Sequence, residues 1–174
     1  YPADRIRTAT KDMLFMEFHD ILPGSSIQSV EDYSIALAGH GLDELGKVKT
    51  QAFISLCSGQ KKANEGEIPL LVYNPHPYEV PYIVECEYQL ADQNKNRNIF
   101  ANPVVYRNGK KLPCQVEKED SNFNVDWRKK SVFYAMLKPC QINRFDVRIE
   151  MIDAKPLPKV RQTKDMFIFK TKEL

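Results

Sequence analysis

A histidine and an aspartate near the start of the chain are the strongest candidates for chemistry. His19 and Asp20 interrupt an otherwise apolar segment, and an imidazole beside a carboxylate can bind a divalent metal or a polar ligand. Residues 4–22 are predicted to form one helix, which Pro23 ends. Asp20 would then lie in the last turn, where the helix dipole disfavours a negative charge by about 0.3–1 kcal/mol. The alternative, which spacing and charge alone favour, is a solvated helix end with Asp20 facing water and His19 capping exposed carbonyls.

The other histidines, carboxylates and cysteines do not combine into a second recognisable site. His40, in the glycine-rich middle of a second predicted helix, and His76, between two prolines, are predicted to face solvent. Trp127 is predicted to lie in a core, although an exposed tryptophan could stack on a sugar ring. The carboxylates of Glu117, Glu119 and Asp120 are predicted to lie in a solvated loop or edge. The sequence has no Gly-rich phosphate loop, G-x-S-x-G or H-E-x-x-H motif. The cysteines lack metal-site spacing and are predicted to be buried free thiols: Cys57, Cys86, Cys114 and Cys140.

Composition limits the classes of function. The chain has 174 residues, of which 43% are hydrophobic and 28% charged, as in an ordinary soluble globular protein. A formal net charge of +2 is too small to indicate a nucleic acid or an anionic membrane surface as partner, and no apolar run approaches the ~20 residues that cross a bilayer. No asparagine lies in an N-x-S/T acceptor, which favours a cytoplasmic location. Because the first residue is Tyr1 rather than Met, we expect the chain to be part of a longer protein.

Two helices are predicted for the first part of the chain. In the helix of residues 4–22, capped by Asp4, apolar side chains point in nearly every direction after Met13, so we expect protein outside this chain to cover it. A second helix of about 30 residues follows, capped by Ser25 with Gln28 and ending near residue 58. The two would pack as an antiparallel hairpin. A polar stretch then separates this helical region, residues 1–62, from residues 63–174.

The spacing of apolar residues changes from helical to alternating after residue 63, which predicts β-strands. Asn108 and Gly109 fit a type I′ turn in a hairpin of residues 104–116. Short strands separated by turn residues favour antiparallel sheets in a sandwich. The predicted fold class is therefore α+β, an antiparallel helical hairpin followed by an antiparallel β-sandwich that we expect to be incomplete. The other predicted strands are residues 68–73, 80–90, 131–137, 144–152 and 166–171.

Residues 18–28 have the sequence F-H-D-I-L-P-G-S-S-I-Q, which resembles the signature of the class II α-mannosidases, glycoside hydrolase family 38. Residues 68–75 and 104–116 are similar to the start of that family's C-terminal β region. The resemblance extends over the whole chain, loosely in its β part. The chain differs from the usual family pattern at Met16 and Glu17, where Asn-Gln is common.

The resemblance implies a zinc-dependent retaining glycosidase that hydrolyses terminal α-mannosides. His19 corresponds to a zinc ligand of the family, and Asp20 to an aspartate that contacts substrate hydroxyls. The nucleophile, the acid/base and the remaining zinc ligands would lie on a preceding β/α catalytic domain that this chain lacks, so the chain alone is expected to hold no catalytic residue and to be inactive. A different interpretation is a non-catalytic carbohydrate-binding or oligomerisation module, and a homo-oligomer remains open.

Overall fold

The computed structural model describes residues 1–117, 119, 126–156 and 160–169. Contacts within the chain divide it into two compact units, Tyr1–Lys61 (the helical unit) and Lys62–Leu174 (the β unit). Two helices precede antiparallel sheets, so the fold class is α+β, as predicted. No helix in the described ranges is long and apolar enough to cross a membrane.

The helical unit is an antiparallel hairpin of two helices: α1 (Ala3–Met16) and α2 (Gln28–Ser58). Arg5, near the start of α1, donates to Glu44 on α2 at 2.7 Å. Phe15, near the end of α1, packs edge-on against Tyr33, which lies early in α2, with ring centroids 5.6 Å apart. The start of α1 thus contacts the middle of α2, and the end of α1 contacts the start of α2. This antiparallel arrangement confirms the predicted hairpin.

The two helices approach most closely where their side chains are small. Gly41 is buried on α2, and a Cβ atom there would lie 3.5 Å from the Cβ atom of Asp12 on α1. Ala9, one turn earlier on α1, is also buried, and its carbonyl oxygen lies 3.6 Å from the same position. Glycine lowers the intrinsic stability of a helix, but at Gly41 its lack of a side chain allows the two helices to approach closely. Helix α2 is continuous through this position.

Helix α1 ends at Met16, so the prediction of one helix through residue 22 is wrong. The N–H groups of Glu17 and Phe18 bond to carbonyl oxygens three residues earlier, at 3.3 Å each, which tightens the final turn and closes the helix. His19 and Asp20 are weak helix formers and Pro23 lies just ahead, so the local sequence favours turns over another helical turn.

The predicted helix caps are also wrong. Asp4 lies inside the first turn of α1 rather than before it, and no side chain caps either helix N-terminus. Ser25 and Gln28 do not form a capping box, because the Ser25 hydroxyl donates to the carbonyl oxygen of Asp20 at 3.3 Å and the Gln28 amide donates to Asp32 at 2.9 Å.

The β unit contains the strands β1 (Glu67–Asn74), β2 (Val80–Asn94), β3 (Phe100–Arg107), β4 (Lys110–Leu112), β5 (Cys114–Glu117), β6 (Asp126–Leu137), β7 (Gln141–Ile152), β8 (Val160–Gln162) and β9 (Phe167–Phe169). They form one sheet in the order β1-β7-β3-β4, a second in the order β2-β6-β5, and a ribbon of β8 and β9. Neighbouring strands pair antiparallel, as predicted. Strand β8 and the first residues of β3 and β6 were not predicted, and residues 170–171 of the last predicted strand lie outside the described residues.

The predicted hairpin is confirmed only as far as Leu112. Asn108 and Gly109 have φ angles of 51° and 75°, as a type I′ turn requires, and join β3 to β4. Beyond Pro113 the chain changes sheets, because Cys114–Glu117 pairs with β6 rather than with β3. Pro113 has no N–H to donate to a ladder, which suits a corner between two sheets.

The hydrophobic core of the β unit lies between the two main sheets. Each sheet contributes alternate side chains, and the rings of Phe133 and Phe145, one from each sheet, meet edge-on with centroids 4.9 Å apart. Val105 and Val147 are fully buried beside them. The remaining buried members of this core are Leu70, Val84, Ala135 and Leu137.

Candidate functional site

His19 and Asp20 lie on the turn that connects the two helices, and both side chains are exposed. His19 Nε2 lies 3.4 Å from Asp20 Oδ2, and the two side chains retain 78% and 57% of their accessible surface. The His19 ring packs at 45° against the ring of Phe18, with centroids 4.3 Å apart. The pair is thus a solvent-accessible imidazole and carboxylate already within contact distance of each other.

The turn is compact because the residues that follow the pair close it. Ile21 donates its N–H to the carbonyl oxygen of Phe18 at 2.9 Å, and Gly24 donates to Ile21 at 3.0 Å. Gly24 has a φ of 75°, a left-handed conformation that glycine adopts without strain. The Ser25 hydroxyl then bonds to the carbonyl oxygen of Asp20. Residues 21–25 therefore fix the backbone that carries the pair.

The proposed conflict between Asp20 and the helix dipole does not occur. Because α1 ends at Met16, Asp20 lies beyond its last turn, where the dipole acts weakly. The electrostatic argument for a bound metal at Asp20 therefore has no basis. Accessibility and proximity to His19 are what remain in favour of a site.

An apolar groove of about 730 Å³ lies beside the turn, and Asp20 is on its border. Glu17 and two serines complete its polar edge. Most of the apolar side chains around it are exposed. This exposure is consistent with the prediction that protein outside this chain packs against the end of α1, which stays a prediction. The apolar residues that line the groove are Leu14, Phe15, Phe18, Ile21, Ile27 and Val30.

The pair can supply part of a zinc site. Zinc in proteins is held by three or four ligands, commonly imidazole nitrogens, thiolates and carboxylate oxygens. Within the described ranges no three histidine, cysteine, aspartate or glutamate side chains come together as a metal site. The exposed imidazole of His19 has the chemistry of one zinc ligand, and a complete site would need further ligands.

The other histidines are exposed, as predicted, but each also has a contact that the sequence did not indicate. His40 is half exposed, and its Nδ1 lies 2.7 Å from Oδ2 of Asp12, joining the two helices. His76 is exposed, and its ring stacks on that of Tyr78 with centroids 5.1 Å apart. Both contacts stabilise their own unit and need no ligand to explain them.

Trp127 and the cysteines depart in part from the predictions. Trp127 is 37% exposed at the start of β6, not in the core, and its indole N–H donates to the carbonyl oxygen of Leu90 at 2.8 Å. All of the cysteines are free thiols, but Cys140 is exposed at a φ of 48°. Burial raises the pKa of the Cys86 and Cys114 thiols, so both are protonated at neutral pH. Asp120, part of the acidic stretch, lies outside the described residues.

A buried lysine in the β unit is the feature that the sequence interpretation missed. Lys129 is only 2% exposed, and its ammonium group bonds to Asp126 and lies 3.9 Å from the centroid of the Phe100 ring. Both charged residues line a second cavity of about 730 Å³, here named the polar cleft. A signal existed, because Lys129 continues the inward-facing alternation of Ser131 and Phe133 on β6.

Hydrogen bonds hold the carboxylate of Asp126 in its charged form. It accepts from the backbone N–H of Ala101 at 2.8 Å and from the Asn94 amide at 2.6 Å, as well as from Lys129. Burial alone would raise the pKa of Asp126, but these bonds together keep it below its usual value. Burial lowers the pKa of Lys129, against the opposing effect of Asp126.

Comparisons of the sequence with protein-family models and with curated proteins give no match. The candidate site therefore rests on the residues and contacts of this chain.

Proposed function

We propose that this chain is part of a zinc-dependent retaining α-mannosidase, a glycosidase that hydrolyses terminal α-mannosides. The observation that carries the proposal is the run of residues 18–28, which resembles the signature of the class II α-mannosidases. The exposure of His19 and Asp20 on a turn closed by the remaining residues of that run supports it. Each residue of the pair has a separate role in the proposal.

His19 would be one ligand of the zinc ion, and the ion would supply positive charge that binds sugar hydroxyls. The side chain suits this role because it is exposed and its contact with Asp20 is 3.4 Å, long enough to be exchanged for a metal bond at little cost. Asp20 would accept hydrogen bonds from substrate hydroxyls. A charged acceptor makes these bonds stronger and more directional than a neutral one does.

The nucleophile and the acid/base would come from a preceding β/α catalytic domain. A retaining mechanism needs two carboxyl groups about 5–5.5 Å apart across the scissile bond, and we assign no such pair in this chain. The exposed apolar groove beside Asp20 supports a contact with that domain, because an apolar surface of this kind is stabilised when another protein surface covers it.

The test is His19→Ala in the protein that carries the catalytic domain, with zinc content and hydrolysis of an aryl α-mannoside as readouts. We expect zinc and activity to be lost while the circular dichroism spectrum is unchanged, because His19 makes no buried contact. His76→Ala, an exposed histidine of the β unit, is the matched control and should keep both. A His19→Ala protein that retains its zinc would refute the assignment.

A second measurement separates this proposal from a carbohydrate-binding module. Mannobiose is titrated against the present chain and against its Asp20→Ala variant. The enzyme proposal predicts no saturable binding by the chain alone, since the sugar site would be completed by the other domain. Saturable binding that survives Asp20→Ala would instead favour the module and place its site elsewhere in the chain.

A further inference from the structure

The polar cleft of the β unit has the features of a ligand site that is independent of His19 and Asp20. Its volume of about 730 Å³ is lined by the end of β2 and the loop after it, the starts of β3 and β6, the end of β5 with Glu119, and residues 153–155 after β7. A cavity of this volume accommodates a small organic molecule. The cleft lies within the β unit, and its lining includes neither His19 nor Asp20.

The floor of the cleft is a preorganised cation. Lys129 is almost fully buried, and its position is fixed by Asp126 and by the face of the Phe100 ring. Asp126 is itself held by three donors, from the side chains of Lys129 and Asn94 and from the backbone of Ala101. An ammonium group has three N–H donors, so Lys129 retains capacity to bond a further acceptor.

A second ammonium group converges on the same aromatic ring. The Nζ atom of Lys155, an exposed residue after β7, lies 5.8 Å from the centroid of Phe100, compared with 3.9 Å for Lys129. The two lysines repel each other, whereas Asp126 and, more weakly, Glu119 attract the Lys129 ammonium. An anion between the two ammonium groups would reduce their mutual repulsion.

The rim shows what kind of anion would fit. Positive charge on the lining also comes from Lys95, Arg97 and Arg128. Negative charge comes from Glu117, Glu119 and Asp153. Such a mixed rim disfavours an extended polyanion, because nucleic acid would bring phosphates against the carboxylates. It suits a small molecule with a single anionic group and polar groups that face the rim.

We propose that the polar cleft binds a small molecule through a phosphate or carboxylate group, with the oxyanion held between the ammonium groups of Lys129 and Lys155. Lys129 provides the buried contact and Lys155 the exposed one. Asp126 acts as a positioning residue that keeps the Lys129 ammonium in place.

The test uses the whole 174-residue chain labelled with ¹⁵N. Inorganic phosphate and acetate are titrated in separate experiments at constant ionic strength, and amide chemical shifts are recorded. We expect saturable shifts confined to the lining of the cleft and its immediate neighbours, residues 93–97, 99–101, 116–117, 119, 126–129 and 153–155. Saturation with phosphate alone identifies a phosphorylated ligand, and saturation with acetate alone a carboxylated one.

Two variants decide whether the shifts report the site. Lys155→Gln should weaken binding about tenfold, the usual effect of losing one charge-assisted contact, and should leave the fold intact because the residue is exposed. Lys110→Gln removes an equally exposed lysine at the β3–β4 hairpin and should leave affinity unchanged. Shifts that fail to saturate with either anion, or an unchanged affinity in Lys155→Gln, would overturn the proposal.

Discussion

Replacing Asp126 by asparagine removes the counter-charge of a buried lysine while nearly preserving the shape of the side chain. In the wild type this carboxylate joins three strands, because it is carried by β6 and accepts from Asn94 on β2 and from the backbone of Ala101 on β3. It also bonds to Lys129, which is almost fully buried. The substitution therefore tests whether this network stabilises the contact between the two sheets.

The expected loss is about 2–3 kcal/mol in the free energy of unfolding of the β unit. Removing one partner of a fully buried ion pair costs about 3–5 kcal/mol, because the other charge stays buried without compensation. Two features reduce that value here. The Asp126 side chain retains 19% of its accessible surface, and asparagine keeps one oxygen that can still accept from Ala101 or Lys129.

Urea unfolding followed by tryptophan fluorescence is the appropriate assay. Trp127, the only tryptophan, lies next to Asp126 and donates to Leu90 within the β unit, so its emission reports on that unit and not on the helices. Asp92→Asn, an exposed carboxylate on β2, is the matched control and should change stability by less than about 0.5 kcal/mol.

A double-mutant cycle separates the charge pair from the other contacts. Lys129→Met removes the buried charge itself, so adding it to Asp126→Asn should cost less than it costs alone. We expect a coupling energy of about 1–2 kcal/mol between the two positions. Stability of Asp126→Asn within 0.5 kcal/mol of wild type, or strict additivity in the cycle, would contradict the network described above.

Four further predictions concern the pH dependence of stability and the backbone at two glycines. Because the folded-state pKa of Asp126 lies below 3.8, its stabilising effect is present above that pH and lost as the pH falls through the folded value; acid unfolding of Asp126→Asn should be correspondingly less steep. Burial raises the pKa of Cys86 and Cys114 above 9.0, so the folded state keeps both thiols protonated at a pH where the unfolded state ionises them. The free energy of unfolding should therefore be unaffected by these thiols below pH 9 and should fall at higher pH. Cys114→Ala should make this fall smaller in unfolding curves measured as a function of pH. Gly24→Ala should destabilise the helical unit by about 1 kcal/mol in thermal melts followed at 222 nm, because alanine is strained at a φ of 75°. Gly39→Ala, in open helical surface, should stabilise the same unit by up to about 1 kcal/mol, and a matching loss there would argue against this reasoning.

The apolar groove beside the turn and the polar cleft lead to two separate functional hypotheses. The His19–Asp20 turn is exposed and adjoins an apolar groove, and no third metal-binding side chain joins the pair among the described residues. The polar cleft is formed by residues of the β unit and contains its charges already in position. Loss of function on substitution of His19 and loss of anion binding on substitution of Lys155 are therefore independent results.

Local sequence determined the features that depend on a few neighbouring residues. The Asn108–Gly109 turn was predictable because two consecutive positive φ angles select those residue types. The strands were predictable because alternation reports which face of a sheet is buried, and α2 because its apolar residues recur at helical spacing over its whole length. His19 and Asp20 were recognisable as a pair since they are adjacent in sequence.

Tertiary structure decided the features that depend on distant partners. Cys114–Glu117 follows the β3–β4 hairpin in sequence yet pairs with β6, since that strand offers an open edge and an apolar face to cover. A lysine is expected at the surface, but Lys129 is buried where β6 packs against β2 and β3. Asn94 on β2 and Ala101 on β3 hold the Asp126 carboxylate that neutralises it. The physical reason is the same in both cases. Burial depends on how the sheets pack. Asn94 and Ala101, which orient Asp126, and the β6 edge, which pairs with residues 114–117, lie outside any short window of sequence.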